Sequence, residues 1–271
     1  MELETLIAAL LEQLGEPGAR WQHARDGREH HLFRVSLERG ERMLKVPREE
    51  GLPDPFDPTR SSAERLLCEA WAVQNARGVP VAGNYEVHPT EPICATMDVL
   101  PGLTAEQALE RGQLDDEMLG RVCLAMGKAM GGTHSVKRPA DGGMLPELPG
   151  TDLTNARLLH LDFHLGNVLI RPRAGMGWEI TGVLDWTCAR WGPAEADFVE
   201  MQVSVFVMNP RARDALIAGY RQASGRAVNL TEVERRSADE IRRRLRDDPP
   251  ESDRLRGYWE AFAQRYPPAP G

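Results

Sequence analysis

The sequence predicts an α+β fold of two lobes: a small N-terminal lobe with an antiparallel sheet and one main helix, and a larger, mostly helical C-terminal lobe. Three observations support this prediction. They are short strand-like pieces between residues 21 and 46, a helix-start signal at residues 61–64, and long apolar helical patterns after residue 118.

Leucine and isoleucine recur at helical spacing between residues 3 and 14, which predicts an amphipathic N-terminal helix that ends at Gly15. Three strand-like pieces follow, at residues 21–24, 32–37 and 42–46. Asp-Gly and Arg-Gly turn pairs separate these pieces, so they are predicted to form an antiparallel meander. Lys45 lies in the third piece between apolar neighbours, a position where a lone lysine is usually solvated.

Ser61 and Glu64 have the spacing of a capping box, which predicts that a helix begins after the proline-rich loop at residues 47–62. The capping role explains Glu64. Glu69 lies five residues further along, about 140° around the helix axis, and is the better candidate to approach Lys45. An ordinary surface position is the alternative for Glu69.

A second group of polar residues lies at 160–167, where the sequence is His-Leu-Asp-Phe-His-Leu-Gly-Asn ahead of an apolar strand. A Pro/Gly-rich turn separates this strand from a second apolar run, residues 178–184, which is followed by Asp185. The two strands are predicted to form an antiparallel hairpin. Asn167, at the start of the first strand, would then lie beside Asp185, with Asp162 close by in the preceding loop.

Oxygen ligands from Asn167 and Asp185 suit Mg²⁺, a hard cation that keeps waters and takes its remaining ligands from phosphates. The carboxylate of Asp162 would be placed to deprotonate a hydroxyl. One Asp as base, with one Asn and one Asp on the metal, is the arrangement that kinases use for phosphoryl transfer. Taken singly, each of these residues is also typical of an ordinary polar loop.

Residues 160–167 resemble the His-Gly-Asp-x-His-x-x-Asn motif of the aminoglycoside phosphotransferase family. Val-Leu-Asp-Trp at 183–186 resembles the second motif of that family, in which Asp-Trp replaces the Asp-Phe-Gly of protein kinases. The pattern at 191–197 matches what usually follows that motif. The resemblance runs in order from Lys45 to about Gly225, and it implies a protein-kinase-like fold with ATP or GTP and Mg²⁺ as cofactors. It also implies that residues 1–99 form the first lobe and residues 100–271 the second, with a hinge at about residues 97–102.

The resemblance also implies residue roles. Asp162 would accept the proton of a substrate hydroxyl, while Asn167 and Asp185 would hold Mg²⁺ on the nucleotide. Lys45, set by Glu69, would neutralise phosphate charge. Backbone groups of the hinge would hydrogen-bond the purine, which leaves no side-chain signature to separate ATP from GTP. The hinge residues are Asp98, Val99 and Leu100, and the supporting residues are His160, His164 and Asp197, the last of which would tie down the catalytic loop.

The chain departs from the family pattern in two places. Leu161 replaces the family glycine, and since protein kinases carry arginine there, a side chain is expected to be tolerated. Residues 135–159 form a short Pro/Gly-rich loop, whereas the family usually has a longer helical stretch that walls the substrate site. His134, just before this loop, is expected to be a packing residue.

The rest of the C-terminal lobe is predicted to be helical. An apolar helix should start at Asp197 and stop before Pro210, followed by a helix over residues 211–224. Residues 231–265 are helical in pattern and carry nine acidic residues against nine arginines, which predicts a solvated, salt-bridged face.

Composition limits the possible partners. The net charge of −8 argues against nucleic acid and is compatible with a cationic substrate. No apolar run approaches the roughly 18 residues of a membrane span. The N-terminus lacks the basic start of a signal peptide. The four scattered cysteines have no Cys-x-x-Cys spacing, so neither a zinc site nor a disulfide framework is expected. These features predict a cytoplasmic protein, and its oligomeric state is not indicated.

The leading hypothesis is a small-molecule kinase that phosphorylates a hydroxyl group, with antibiotic resistance as one biological role. A housekeeping kinase of an amino alcohol or sugar is an alternative on the same fold. A third hypothesis treats His160, Asp162 and His164 as metal ligands of a hydrolase. That hypothesis leaves Asn167 and Asp185 unexplained.

Overall fold

A five-stranded antiparallel sheet dominates the N-terminal part of the computed structural model, which describes residues 3–27, 29–48, 54–175, 177–207 and 209–266. The predicted loop at 47–62 and the predicted hairpin turn each include residues outside this description, at 49–53 and 176. The elements of this part are α1 (Leu3–Gln13), β1 (Arg20–Asp26), β2 (His30–Leu37), β3 (Gly40–Pro47), α2 (Ser62–Asn75), β4 (Glu86–His88) and β5 (Cys94–Asp98).

The sheet has the strand order β1-β2-β3-β5-β4, and each neighbouring pair is antiparallel. The predicted three-stranded meander is confirmed, and β5 and the short β4 extend it. Helix α1 packs on one face of the sheet. The buried side chains of this contact are Ile7, Leu10, Leu11, Phe33, Val35, Leu44, Val46 and Cys94. Because side chains alternate along a strand, Lys45 points to the opposite face.

Helix α2 begins as its capping box predicts. The backbone N–H of Glu64 donates to Ser61 Oγ over 3.2 Å, and the N–H of Ser61 donates to Glu64 Oε2 over 2.8 Å. The backbone N–H of Ser61, and after it the Ser61 hydroxyl, hold the pKa of the Glu64 carboxyl below its usual value. Glu64 is thereby used at the helix start, which leaves Glu69 for another partner.

The remaining elements form two small sheets surrounded by helices. They are β6 (Leu103–Thr104), α3 (Ala105–Glu110), α4 (Asp116–Thr133), β7 (Arg157–Leu159), β8 (Val168–Arg173), β9 (Gly177–Val183), β10 (Arg190–Gly192), α5 (Val199–Met201), α6 (Pro210–Ser224), α7 (Leu230–Asp247) and α8 (Asp253–Arg265). Strands β6, β8 and β9 form one sheet, and β7 pairs with β10. The antiparallel N-terminal sheet and the helical C-terminal part confirm the predicted α+β class. Among the described residues, no helix is both long and apolar enough to cross a membrane.

Internal contacts divide the chain into two units. One consists of Met1–Gln74, Val81–Leu100 and Trp186–Cys188. The other consists of Asn75–Pro80, Pro101–Asp185 and Ala189–Gly271. Residues 75–80 thus belong to the mainly C-terminal unit, and residues 186–188 belong to the mainly N-terminal unit. The division into lobes at residues 99 and 100 stays a prediction.

The continuous helix predicted from Asp197 is wrong in detail. The segment consists of a 3₁₀ turn at Ala194–Phe198, the short α5, and a π-helical turn at Gln202–Phe206. Valines at 199, 203, 205 and 207 give a physical reason, because β-branched side chains are restricted in a regular α-helix. Ser204 also donates from its hydroxyl to the Glu200 carbonyl at 2.7 Å, a local bond that bends helices.

Helices α7 and α8 carry the predicted charged face. Arginines along α7 pair with acidic residues three or four positions away, as in the Arg236–Glu232 contact at 2.6 Å. The apolar side of α7 packs against α8 and the preceding π turn, around the buried Val203, Ile241 and Trp259.

Helices α4 and α6 approach each other unusually closely through two glycines. A Cβ atom on Gly127 would lie 1.9 Å from the Leu216 carbonyl oxygen, and one on Gly219 would lie 2.0 Å from the Leu124 carbonyl oxygen. A side chain at either position would push the helix backbones apart. The two glycines therefore fix how these helices cross.

We predict that Gly127→Ala lowers the free energy of unfolding by about 2 kcal/mol or more, because the methyl group overpacks a backbone contact that cannot relax by rotamer change. Gly120→Ala on the same helix is the matched control, since a Cβ there meets nothing within 4 Å. That variant should be neutral or stabilising by up to about 1 kcal/mol. Urea denaturation of both variants measures the difference, and equal stabilities would contradict the close crossing.

Candidate active site

The hairpin of β8 and β9 brings together the ends that carry the predicted metal ligands. Val168 pairs with Val183, and the backbone N–H of Leu184 donates to the Asn167 carbonyl over 2.8 Å. The start of β8 therefore lies beside the end of β9, as predicted. Asp185 follows directly, half-buried, with a left-handed φ of 60°.

Asp162 and Asn167 are in direct contact. The side-chain amide of Asn167 donates to Asp162 Oδ2 over 2.8 Å and to the Asp162 carbonyl over 2.9 Å. Both bonds use the nitrogen of the amide, so its oxygen is the atom left for a cation. The charge of Asp185 is close enough to raise the pKa of Asp162, which places all three predicted residues in one neighbourhood.

The pKa of the Asp162 carboxyl is lowered overall. Burial raises it, but the hydrogen bond and charge of His164, together with the charge of His160, outweigh that effect. In turn, burial lowers the pKa of His164 while Asp162 raises it, and the net direction is upward. His164 Nε2 lies 3.6 Å from Asp162 Oδ1, and its Nδ1 accepts the Gly166 N–H over 3.1 Å. Asp162 is thus held as a carboxylate, the form that can accept a proton.

Both ring nitrogens of His160 form hydrogen bonds with the backbone. Its Nε2 donates to the Leu184 carbonyl over 2.8 Å, and its Nδ1 accepts the Asp162 N–H over 3.3 Å. His160 therefore links the catalytic loop to the end of β9, which is a supporting role. A metal ion would have to displace one of these bonds, which disfavours the hydrolase hypothesis.

Asp197 holds the catalytic loop by binding its backbone N–H groups. Its carboxylate accepts the His160 N–H over 2.9 Å and the Leu161 N–H over 2.5 Å. His134 Nε2 donates to the same carboxylate over 2.9 Å, and its Nδ1 lies 3.2 Å from the Tyr220 hydroxyl. His134 is buried, as expected of a packing residue, but the sequence analysis missed its hydrogen bonds. A polar residue at the end of the buried helix α4 was the available signal.

Leu161 has a φ of 64°, in the left-handed region that favours glycine. This explains physically why a glycine suits the motif at this position. The side chain of Leu161 compensates in part by packing against Leu148, Leu159 and Ala196. The expectation that a side chain is tolerated is met, but with backbone strain at the centre of the loop.

Lys45 and Glu69 form a buried ion pair, with Lys45 Nζ 2.8 Å from Glu69 Oε2. This contact is the one predicted from the position of Glu69 on α2. The other oxygen, Glu69 Oε1, accepts the backbone N–H of Trp186 over 3.1 Å. Glu69 therefore orients the lysine and also holds the peptide that follows Asp185. This second bond could not be predicted, because a backbone N–H donor leaves no signal in the sequence.

The predicted hinge begins at the end of β5. The backbone N–H of Asp98 donates to the Gly83 carbonyl over 2.9 Å, so this group is used within the protein. Val99 and Leu100 follow outside any strand and are half-buried. Purine recognition by the backbone of residues 98–100 stays a prediction, with the N–H of Asp98 removed from the available donors.

The short loop at 135–159 is fastened to the sheet of β7 and β10. Lys137 forms a bridge with Arg157, and Glu147 forms one with Trp191. The indole N–H of Trp191 donates to the Gly142 carbonyl over 3.1 Å. The loop contains a single 3₁₀ turn, Leu153–Asn155, and no α-helix. The short loop is thus held in place without a helical segment of its own beyond that turn.

The donor set fits a magnesium ion. A carboxylate at 185 and an amide oxygen at 167 are hard oxygen ligands, and too few protein ligands for a closed site suit a cation that also binds phosphates. The described residues contain no group of three or more His, Cys, Asp or Glu that could hold a metal. Any cation bound by Asn167 and Asp185 would therefore need ligands from outside this set.

Comparisons with known proteins agree with this geometry. Residues 143–238 match the model of the phosphotransferase enzyme family, a segment that contains the 160–167 motif and Asp185. The resemblance drawn from the motifs is confirmed, and the match supports a phosphotransferase enzyme. A comparison with curated protein sequences finds no match.

Solved structures give the fold. ADP-bound aminoglycoside phosphotransferase APH(2'')-Ib is similar with a TM-score of 0.62, 14% identity and 98% coverage of both chains. A GDP complex of aminoglycoside 2'-phosphotransferase IIIa gives 0.62 at 12% identity, covering 97% of this chain and 95% of that chain. Spectinomycin phosphotransferase APH(9)-Ia with ADP and spectinomycin gives 0.55 at 11% identity, covering 99% and 95%. The predicted kinase-like fold is confirmed.

We predict that Leu161→Gly is more stable than Leu161→Ala by about 1 kcal/mol. Both variants lose the same packing, but only glycine adopts a φ near 64° without strain. This ranking is the reverse of the usual one in helices and strands. Thermal or urea unfolding of the two variants measures it, and an alanine variant of equal or greater stability would show that the strain is absent.

Proposed function

We propose that this chain, whose catalytic segment matches the phosphotransferase enzyme family on the fold of aminoglycoside phosphotransferases, is a small-molecule kinase. It transfers the γ-phosphate of ATP or GTP to a hydroxyl group of its substrate. The observation that carries the proposal is the contact of Asp162 with Asn167 beside Asp185. An aspartate that only stabilised a polar loop would not need an adjacent asparagine whose amide oxygen is left for a metal ion.

In this proposal Asp162 accepts the proton of the substrate hydroxyl as the hydroxyl oxygen attacks the γ-phosphorus. Its lowered pKa keeps it ionised at neutral pH, so it is ready to accept that proton. The hydrogen bond from Asn167 fixes the direction of the carboxylate. Asp197 fixes the backbone of the loop, so that Asp162 does not have to be repositioned during the reaction.

Asn167 and Asp185 are the residues that would hold Mg²⁺, which when bound neutralises charge on the nucleotide phosphates. Lys45 contributes a further positive charge to the phosphates. Its partner Glu69 keeps the ammonium group in one place, and because the same carboxylate binds the Trp186 N–H, it also limits motion of the peptide next to Asp185. Positioning and electrostatic stabilisation thus supply most of the catalysis.

The substrate class follows from the fold only in outline. Solved relatives include enzymes of aminoglycosides and of spectinomycin, so hydroxylated antibiotics are the first candidates. Amino alcohols and sugars are the second. The loop at 135–159 differs from the longer wall of the family, so the substrate has to be identified by experiment.

We predict that Asp162→Asn lowers kcat by about 10²- to 10⁴-fold, the usual contribution of a general base, while nucleotide binding is kept. The assay is ADP or GDP release with Mg²⁺ across aminoglycosides, other hydroxylated antibiotics, amino alcohols and sugars. Asp115→Asn is the matched control, because Asp115 is the exposed N-cap of α4, a position that asparagine fills equally well.

A substrate that is turned over by the control and by the unchanged chain, but not by Asp162→Asn, would support the proposal and give the substrate class. Full turnover in Asp162→Asn would show that another group is the base. Activity that depends on zinc and not on a nucleotide would favour the hydrolase instead.

We predict that Asp185→Asn weakens Mg²⁺-dependent binding of ADP by about tenfold or more, since a neutral amide is a poorer ligand for a hard cation. Asparagine is chosen because it tolerates the left-handed φ at this position. Calorimetric titration with and without Mg²⁺ measures the effect. Unchanged Mg²⁺ dependence would remove Asp185 from the metal site.

A further inference from the structure

Asp98, the last residue of β5, is held from several sides within its unit. Its backbone N–H donates to the Gly83 carbonyl over 2.9 Å, and the side-chain amide of Asn84 donates to both of its carboxylate oxygens, at 3.0 and 3.2 Å. The guanidinium of Arg42, its cross-strand partner on β3, binds the same carboxylate. Asp98 is therefore used as an anchor inside the protein.

The segment that carries Gly83 and Asn84 is shaped for this contact. A Cβ atom on Gly83 would lie 2.4 Å from Asp98 Oδ2, so a larger residue would collide with the carboxylate. Asn84 has a φ of 48°, a conformation that asparagine adopts more readily than most residues. Both residues lie shortly before β4, which pairs with β5. We call the contacts of Arg42, Gly83 and Asn84 with Asp98 the clamp. It is a local structure that requires specific residues at these positions.

An ordinary surface ion pair would not account for this arrangement. The Arg42 side chain is 15% exposed and that of Asp98 is 39% exposed, so solvent screens the pair only in part. A backbone bond and a two-oxygen amide contact are added to the ion pair. The same sheet contains a simpler case for comparison, Arg34 and Glu41 at 3.7 Å, with side chains 48% and 58% exposed.

The clamp ends where the hinge begins. Val99 and Leu100 come immediately after Asp98, outside any strand, and are half-buried. The direction in which their backbone leaves β5 is set by Asp98, the residue before them. A fixed Asp98 anchors the point from which these two residues start, which lowers the entropy lost when they bind a ligand.

We propose that Asp98 is a positioning residue for the nucleotide: held by Arg42 and Asn84, it fixes the end of β5 and thereby presents the backbone of Val99 and Leu100 to the purine. This inference rests on the proposed kinase function. It assigns Asp98 a role through its side chain, in addition to membership of the hinge.

The test compares Asp98→Ala and Asn84→Gly with Glu41→Ala in the 271-residue chain, using calorimetric titration of ADP with Mg²⁺. Once a substrate is identified, steady-state kinetics are measured on the same variants. Glycine at 84 removes the amide but permits the left-handed φ. We expect Asp98→Ala to raise the Kd and the nucleotide KM by about tenfold, with kcat changed less than about twofold. Asn84→Gly should give a smaller rise in the same direction, and Glu41→Ala should change neither constant.

Adding Arg42→Ala to Asp98→Ala should weaken binding no further, because both changes remove one shared interaction. A Kd in Asp98→Ala equal to that in Glu41→Ala would overturn the inference, as would a fall in kcat with KM unchanged. If Asp98→Ala fails to fold, Asn84→Gly decides by the same criteria. An unchanged chain that binds no nucleotide would overturn the proposed function and this inference together, whereas binding that Asp98→Ala retains in full overturns the inference alone.

Discussion

The buried carboxylate of Asp197 is the interaction on which the catalytic loop depends. Burying a charge is costly unless hydrogen bonds replace the lost water, and here two backbone N–H groups and His134 do so. Removing the carboxylate would leave those three donors unsatisfied at once. The loop is therefore fixed through its backbone, which leaves the side chains of Asp162 and Asn167 free to serve chemistry.

This constraint also explains how a strained residue persists. Leu161 is held in a left-handed conformation because its N–H is bonded to Asp197 and its side chain packs on a small apolar cluster. Those contacts offset the free-energy cost of the left-handed φ of Leu161. Glu69 follows the same principle in the N-terminal unit, where one buried carboxylate serves both Lys45 and the peptide of Trp186. In each case a carboxylate sets geometry and is kept away from the reacting atoms.

Local patterns predicted much of this structure. The capping box fixed the start of α2, and the helix angle then selected Glu69 over Glu64 as the partner of Lys45. The hairpin signal placed Asn167 beside the end of β9. These predictions succeeded because each depends on residues close in sequence or on a regular geometry. The same reasoning could not reach the bond between His134 and Asp197, which are 63 positions apart. It also missed the π turn at 202–206, since periodicity alone does not distinguish it from an α-helix.

The glycine crossing of α4 and α6 has a consequence for the loop that follows α4. Residues rise by about 1.5 Å along a helix, so a slip of one position would bring a side chain against the carbonyl of Leu216. The two helices therefore have only one permitted register. His134 caps α4 and Tyr220 lies on α6. The register of the two helices therefore also sets the positions of both side chains relative to Asp197. Two glycines without side chains thus determine where a loop about two helical turns away is positioned.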